Sequence, residues 1–171
     1  MKLHALSAEA AEFNLEHLGF DDCERGLLAV ARYFFLARSS PEQQSWQVAF
    51  SVSVERWGSD IGLPIAFAMS KLVRSVADVR TDFFSCDPFD DDARGRASFD
   101  EAVLMRMLHH MRREQTPDAR DAVEVLTRGL MDPHVIRAGL AVAARFGCGA
   151  PVRRRLFASH MMQHPHQDRL V

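Results

Sequence analysis

The chain has 171 residues, of which 47% are hydrophobic and 26% charged, with a formal net charge of -2. That composition excludes a compositionally disordered chain and a polyelectrolyte, and it suffices to bury roughly 70% of the unfolded surface in one core. Charge is uneven, however: residues 1–100 hold 16 acidic and 10 basic side chains, and residues 101–171 hold 7 and 11, so a basic C-terminal part can meet an anionic partner or dock on the acidic first half of the same chain.

In chain order, Ser7 starts a short helix that Gly19 stops. Asp21 and Glu24 form a cap-and-return pair for the next helix, whose residues Leu27, Leu28, Val30, Ala31, Phe34 and Phe35 are apolar around most of the circumference, which places it centrally. The run Gly26 to Ala37 is interrupted by Arg32 and is too short to span a bilayer. Ser40 caps a helix running to about Trp57. Over 48–54 the alternation of Val48, Phe50, Val52 and Val54 competes as a strand, but Trp46, Ala49, Phe50, Ser53 and Trp57 also keep helical spacing, and the Ser40 cap tips the balance. Gly58 ends this helix, and Pro64 opens one with Ile65, Met69, Leu72, Val73 and Val76 inward and Lys71 and Arg74 elsewhere, reaching about Phe84. Residues 87–97 are the longest irregular connection.

Ser98 and Glu101 then make a second capping pair, for a helix with Val103, Leu104, Met107, Leu108 and Met111 inward and Ala102, Met105 and His109 outward. Thr116-Pro117 and Asp132-Pro133 start two more. In the second of these Gly139 permits close approach of a neighbour. The expected fold is all-α, an irregular single-domain bundle of about six to eight helices over residues 1–150, with residues 151–171 as a C-terminal helix and polar tail.

Functional signals are sparse. Cys23, Cys86 and Cys148 show neither a disulfide framework nor zinc-knuckle spacing, and the N-terminus lacks a signal-peptide pattern, so a cytoplasmic protein is expected. In the acidic connection, Asp90, Asp92, Gly95, Arg96, Ser98 and Glu101 fall at successive ligand and turn positions. Residues 90–101 thereby resemble the calcium loop of an EF-hand, which implies Asp90, Asp92, Ser98 and Glu101 as cation ligands; Arg94 departs from that pattern where an oxygen belongs. His160 and His164, four apart, are a second candidate metal pair, with Cys148 and His166 nearby in sequence. The competing reading of Ser98 and Glu101 is a capping box.

The helix pair 117–129 and 133–146 has the outline of a helix-turn-helix but little outward polarity at the start of the second helix beyond His134 and Arg137. Met105 and His109 beside an apolar margin mark a possible contact surface. Arg112, Arg113, Arg153, Arg154 and Arg155 are candidate contacts to an anionic partner or to phosphates. No Gly-rich phosphate loop or nucleophile elbow occurs. The expected role is a non-enzymatic bacterial interaction or regulatory module binding a protein partner or a second copy, with no cofactor and no membrane span. A nucleic-acid-associated regulator is the alternative, and a metal-binding helical protein the third.

Overall fold

Six α-helices and one short two-stranded ribbon make up residues 12–146, the part of the chain that the computed structural model describes. In order these are β1 (Glu12–Asn14), α1 (Asp22–Ser39), α2 (Ser45–Trp57), α3 (Ser59–Val79), β2 (Arg96–Ser98), α4 (Phe99–Arg112), α5 (Thr116–Leu126) and α6 (Pro133–Ala143). The fold is the expected all-α bundle. β1 and β2 pair antiparallel, with Phe13 opposite Ala97, and tie the N-terminal side of the described chain to the entrance of α4. No described helix is long and apolar enough to cross a membrane.

Two capping boxes set the ends that matter most. The Asp21 side chain accepts from the Glu24 N–H at 2.8 Å while Glu24 Oε2 accepts from the Asp21 N–H at 2.9 Å. Ser98 and Glu101 repeat this at α4, at 3.1 and 3.0 Å. Each box satisfies two amides that the first helical turn would otherwise leave unbonded. Around these starts, α1, α3 and α4 supply the largest buried side chains, including Leu27, Leu28, Ile65, Met69, Leu72, Leu104, Met105 and Leu108. α2 covers α1 and α3, α5 lies on α4, and α6 lies across α3 and α4. The segment 46–57 is helix, so the strand alternative is overturned. Its residues Ala49 and Ser53 are buried, and burial on one helical side prevailed over a period-2 run of β-branched residues.

Several local expectations are corrected. Residues 12–18 form β1 and a 3-10 turn (Leu15–Leu18) rather than the end of a helix, although Gly19 does stop the turn in the left-handed region. Ser40 precedes only a 3-10 turn, and α2 starts after Gln44, whose backbone is left-handed and whose side chain caps nothing.

Pro64 lies inside α3 instead of opening it. The helix begins earlier because Gly58, at φ 76°, turns the chain directly from α2 into α3, and the Gly62 N–H reaches the Gly58 carbonyl at 2.7 Å. Pro64 is exposed, where water can replace the bond its missing N–H forfeits. α3 stops at Val79, short of Phe84. The α2–α3 crossing is so tight that a Cβ on Gly62 would sit 2.4 Å from the Ser53 carbonyl oxygen. The close approach expected at Gly139 is present: a Cβ there would lie 2.8 Å from Met111 Sδ.

The outward placement of Met105 and Ala102 is wrong. Met105 is fully buried and Ala102 nearly so, because α4 is covered by α1, α5 and α6 and so has no single inward face. Residues 151–171, with the expected final helix and tail, lie outside the described residues.

Candidate functional site

α1 and α4 run antiparallel, and each helix offers its neighbour the glutamate that closes its own capping box. Near the middle of α1, Arg32 meets Glu101 at the start of α4; at the start of α1, Glu24 meets His109 near the end of α4. Arg32 follows Glu24 by eight residues and His109 follows Glu101 by eight, so the two contacts are related by an approximate twofold. The apolar pair Leu28 and Met105 occupies the sequence midpoints between them, and both are buried.

At the first station Glu101 is fully buried and accepts from five donors. Arg32 Nε and Nη2 approach its two oxygens at 2.8 Å, the Ser85 hydroxyl and Cys86 N–H reach Oε1 at 2.9 and 3.0 Å, and the Ser98 N–H closes the cap. The remaining Arg32 bonds go to the carbonyls of Ala93 (3.0 Å) and Arg96 (2.5 Å). Burial works against the Arg32 charge, but Glu101 outweighs it and holds the guanidinium above its usual value. Burial, and then the Glu101 carboxylate, pushes the Cys86 thiol up to about 11, so it stays protonated and unreactive near neutrality.

At the second station Glu24 accepts from Arg112 Nη1 at 2.6 Å, Arg113 Nη1 at 2.5 Å and His109 Nδ1 at 3.1 Å. Arg112 adds Asp21 and the Phe146 carbonyl. Burial raises the Glu24 carboxyl, yet Arg113, the Asp21 amide and His109 together overcome it and hold it below the ordinary carboxylate value. A third cluster ties Arg80 to Asp82 and Asp100, both at 2.9 Å, and to the Leu126 carbonyl at 3.0 Å, with Arg128 also on Asp82.

These clusters take up five of the residues that the sequence had offered for function: Ser98, Glu101, His109, Arg112 and Arg113. Arg112 is buried and Arg113 partly so, and both face Asp21 and Glu24; these two arginines dock on the acidic first half of the same chain. With Met105 in the core and His109 turned to Glu24, the contact surface expected at Met105 and His109 is not formed. The neighbouring His110 bonds Gln115 Oε1 at 2.8 Å.

The EF-hand likeness is also corrected. Asp90 caps a 3-10 turn through the Asp92 N–H, Ser98 and Glu101 belong to a capping box, and Glu101 is enclosed by Arg32. No group of three or more His, Cys, Asp or Glu among the described residues is placed to hold a metal ion. Arg153, Arg154, Arg155, His160 and His164 lie outside the described residues.

Three surface features are left over. A cleft of about 510 Å³ opens between α1, α3 and residues 80–88, lined by Arg32, Arg80, Phe83, Ser85 and Cys86 among others; its guanidiniums are already bonded to carboxylates and carbonyls, and its thiol is protonated. Leu63 and Phe67, one turn apart on α3, are 46% and 53% exposed, and Lys71 Nζ stands 4.4 Å over the Phe67 ring. Farther along α3, Lys71 and Arg74 face His134 and Arg137 of α6 across a shallow groove. Of these four, the sequence had drawn attention only to His134 and Arg137, as the outward polar residues of the helix-turn-helix outline; that α3 packs on α6 and brings Lys71 and Arg74 beside them is visible only in the fold. No family model, curated protein or solved structure matches the chain.

Proposed function

We propose that the chain is a non-enzymatic regulatory module of the cytoplasm that acts by binding a protein partner through the outward face of α3. The observation that carries this reading is the pair Leu63 and Phe67, exposed side by side on a helix whose other sides are packed against α1, α2 and α6. Each side chain is already about half covered, so covering the rest is worth about 1 kcal/mol, and paired large apolar residues on a helix are the anchor type that partner proteins use. The ionisable groups inside the fold support the non-enzymatic part, since buried Glu24, Glu101 and Cys86 and partly buried His109 sit in networks that hold helices together.

The test is site-specific photo-crosslinking in the native cell, with a photoreactive phenylalanine analogue at position 67 and, as control, at Arg106, which is exposed on α4. A discrete protein adduct at 67 that is absent at 106, and that disappears when Leu63→Glu is added, is the expected result. Equal labelling at both positions would overturn the assignment of this face.

A further inference from the structure

We propose that the groove between α3 and α6 binds a compact anion carrying two or more phosphoryl groups. The groove has a volume of about 420 Å³ and is lined by Lys71, Arg74, Ser75, His134 and Arg137, with Ala138 and Ala141 beside them. Among the described residues no carboxylate lines it. Lys71, Arg74 and Arg137 can only donate hydrogen bonds, and Ser75 and His134 can add to them.

The arginines that this fold buries wholly or in part are paired: Arg32, Arg80, Arg112 and Arg113 each face at least one carboxylate within 3.3 Å. Exposed Arg25, Arg106, Arg120 and Arg145 make no ion pair among the described residues; what sets the groove apart is that it gathers several such cations in one place. Among the described residues Lys71 and Arg137 make no ion pair, and Arg74 has only Asp78 at 3.9 Å, a carboxylate shared with Arg38. Asp132, at the head of α6, is engaged as its cap, accepting from the His134 and Val135 N–H groups. Two helices thus bring three permanent cations and a histidine to one concavity with one shared counter-charge at its edge. Like charges gathered this way repel, and an anion from solution relieves that repulsion.

The chemistry of the donors selects the ligand. Guanidinium and ammonium groups converging from two walls suit phosphoryl oxygens, which accept several charge-assisted bonds at once. Lys71 and Arg74 stand on α3 and His134 and Arg137 on α6, so two linked phosphoryl groups can take donors from both walls. A nucleic-acid backbone presents the same group, but it needs a track of cations; along α3 the row changes instead to Phe67 and Leu63. The proposal does not depend on that apolar row having a protein partner.

Calorimetric titration of the full chain with pyrophosphate at low salt tests the site, with orthophosphate, sulfate and a short DNA duplex as comparison arms. Saturable one-to-one binding of pyrophosphate is expected, tighter than orthophosphate or sulfate and weakening as salt is raised. Lys71→Ala and Arg137→Ala should each weaken it by roughly tenfold, the value of one charge-assisted contact, whereas Arg106→Ala should leave it unchanged. All three side chains are exposed, and unaltered circular dichroism verifies that each variant folds. Absence of saturable binding, equal binding by the Lys71→Ala/Arg137→Ala double variant, or equal loss in Arg106→Ala would each overturn the site. Tight duplex binding without pyrophosphate saturation would overturn it in favour of a nucleic-acid backbone.

Discussion

Replacing Arg32 by Met removes the guanidinium while leaving an unbranched apolar stem to fill the same space between α1 and the start of α4. The side chains of Arg32 and Glu101 are 6% and 1% exposed, so the carboxylate left behind would be a buried charge without its cation. Breaking such a pair from one side costs about 3–5 kcal/mol. Glu101 retains three donors, from Ser85, Cys86 and Ser98, which places the charge contribution near the lower end, about 3 kcal/mol. The carbonyls of Ala93 and Arg96 also lose a partner, adding about 1 kcal/mol each.

The expected loss is therefore roughly 5 kcal/mol, from a total that for natural domains is about 5–15 kcal/mol, and a fall in Tm of roughly 10–20 °C at about 2–4 °C per kcal/mol. Urea unfolding followed by far-ultraviolet circular dichroism measures it. The companion variant Arg32→Met/Glu101→Gln carries no unpaired charge and keeps an oxygen for Ser85 and Cys86, so it should recover about 2 kcal/mol relative to Arg32→Met alone. A loss under about 1 kcal/mol for the single variant, or a double variant no better than the single, would refute the view that this pair fastens residues 93–101 to α1.

Three further outcomes follow from the same geometry. Helix propensity alone favours alanine over glycine by about 1 kcal/mol, yet Gly62→Ala should destabilise by about 2–3 kcal/mol because its Cβ meets a backbone oxygen. Gly139→Ala should be close to neutral, since the flexible Met111 side chain can yield; equal losses in chemical denaturation would contradict the packing described. Glu24, whose carboxyl is held below its ordinary value, contributes stability that is complete above the unfolded-state value of about 4.3 and lost as pH falls through its lower folded-state value. Glu24→Gln should therefore be markedly less stable than the parent at neutral pH and approach it in acid, and a pH-independent difference in Tm would count against the network. Arg94→Asp should show no calcium-dependent rise in Tm, because Glu101 is closed off by Arg32; a calcium-dependent rise would restore the EF-hand reading.

Local chemistry determined the helix starts at Asp21 and Ser98, the stop at Gly19 and the close approach at Gly139, since capping boxes and small residues act within a few positions of the chain. The all-α class followed from those starts and from the 3.6-residue period; 46–57 was read as helix because a Ser40 cap tipped the balance, and the helix is there although Ser40 does not cap it. What tertiary structure alone decided is where each helix face ends up. Met105 was read as outward because one helix in isolation shows one apolar face, whereas α4 is enclosed on several sides. Arg112 and Arg113 read as basic surface until Asp21 and Glu24, some ninety positions earlier, arrived beside them. Arg32 was visible only as an interruption of an apolar run, and Glu101 only as a cap or a cation ligand. Their pairing, and the gathering of Lys71, Arg74, His134 and Arg137 into one groove, depend on which helices pack together, and no spacing within a single element encodes that.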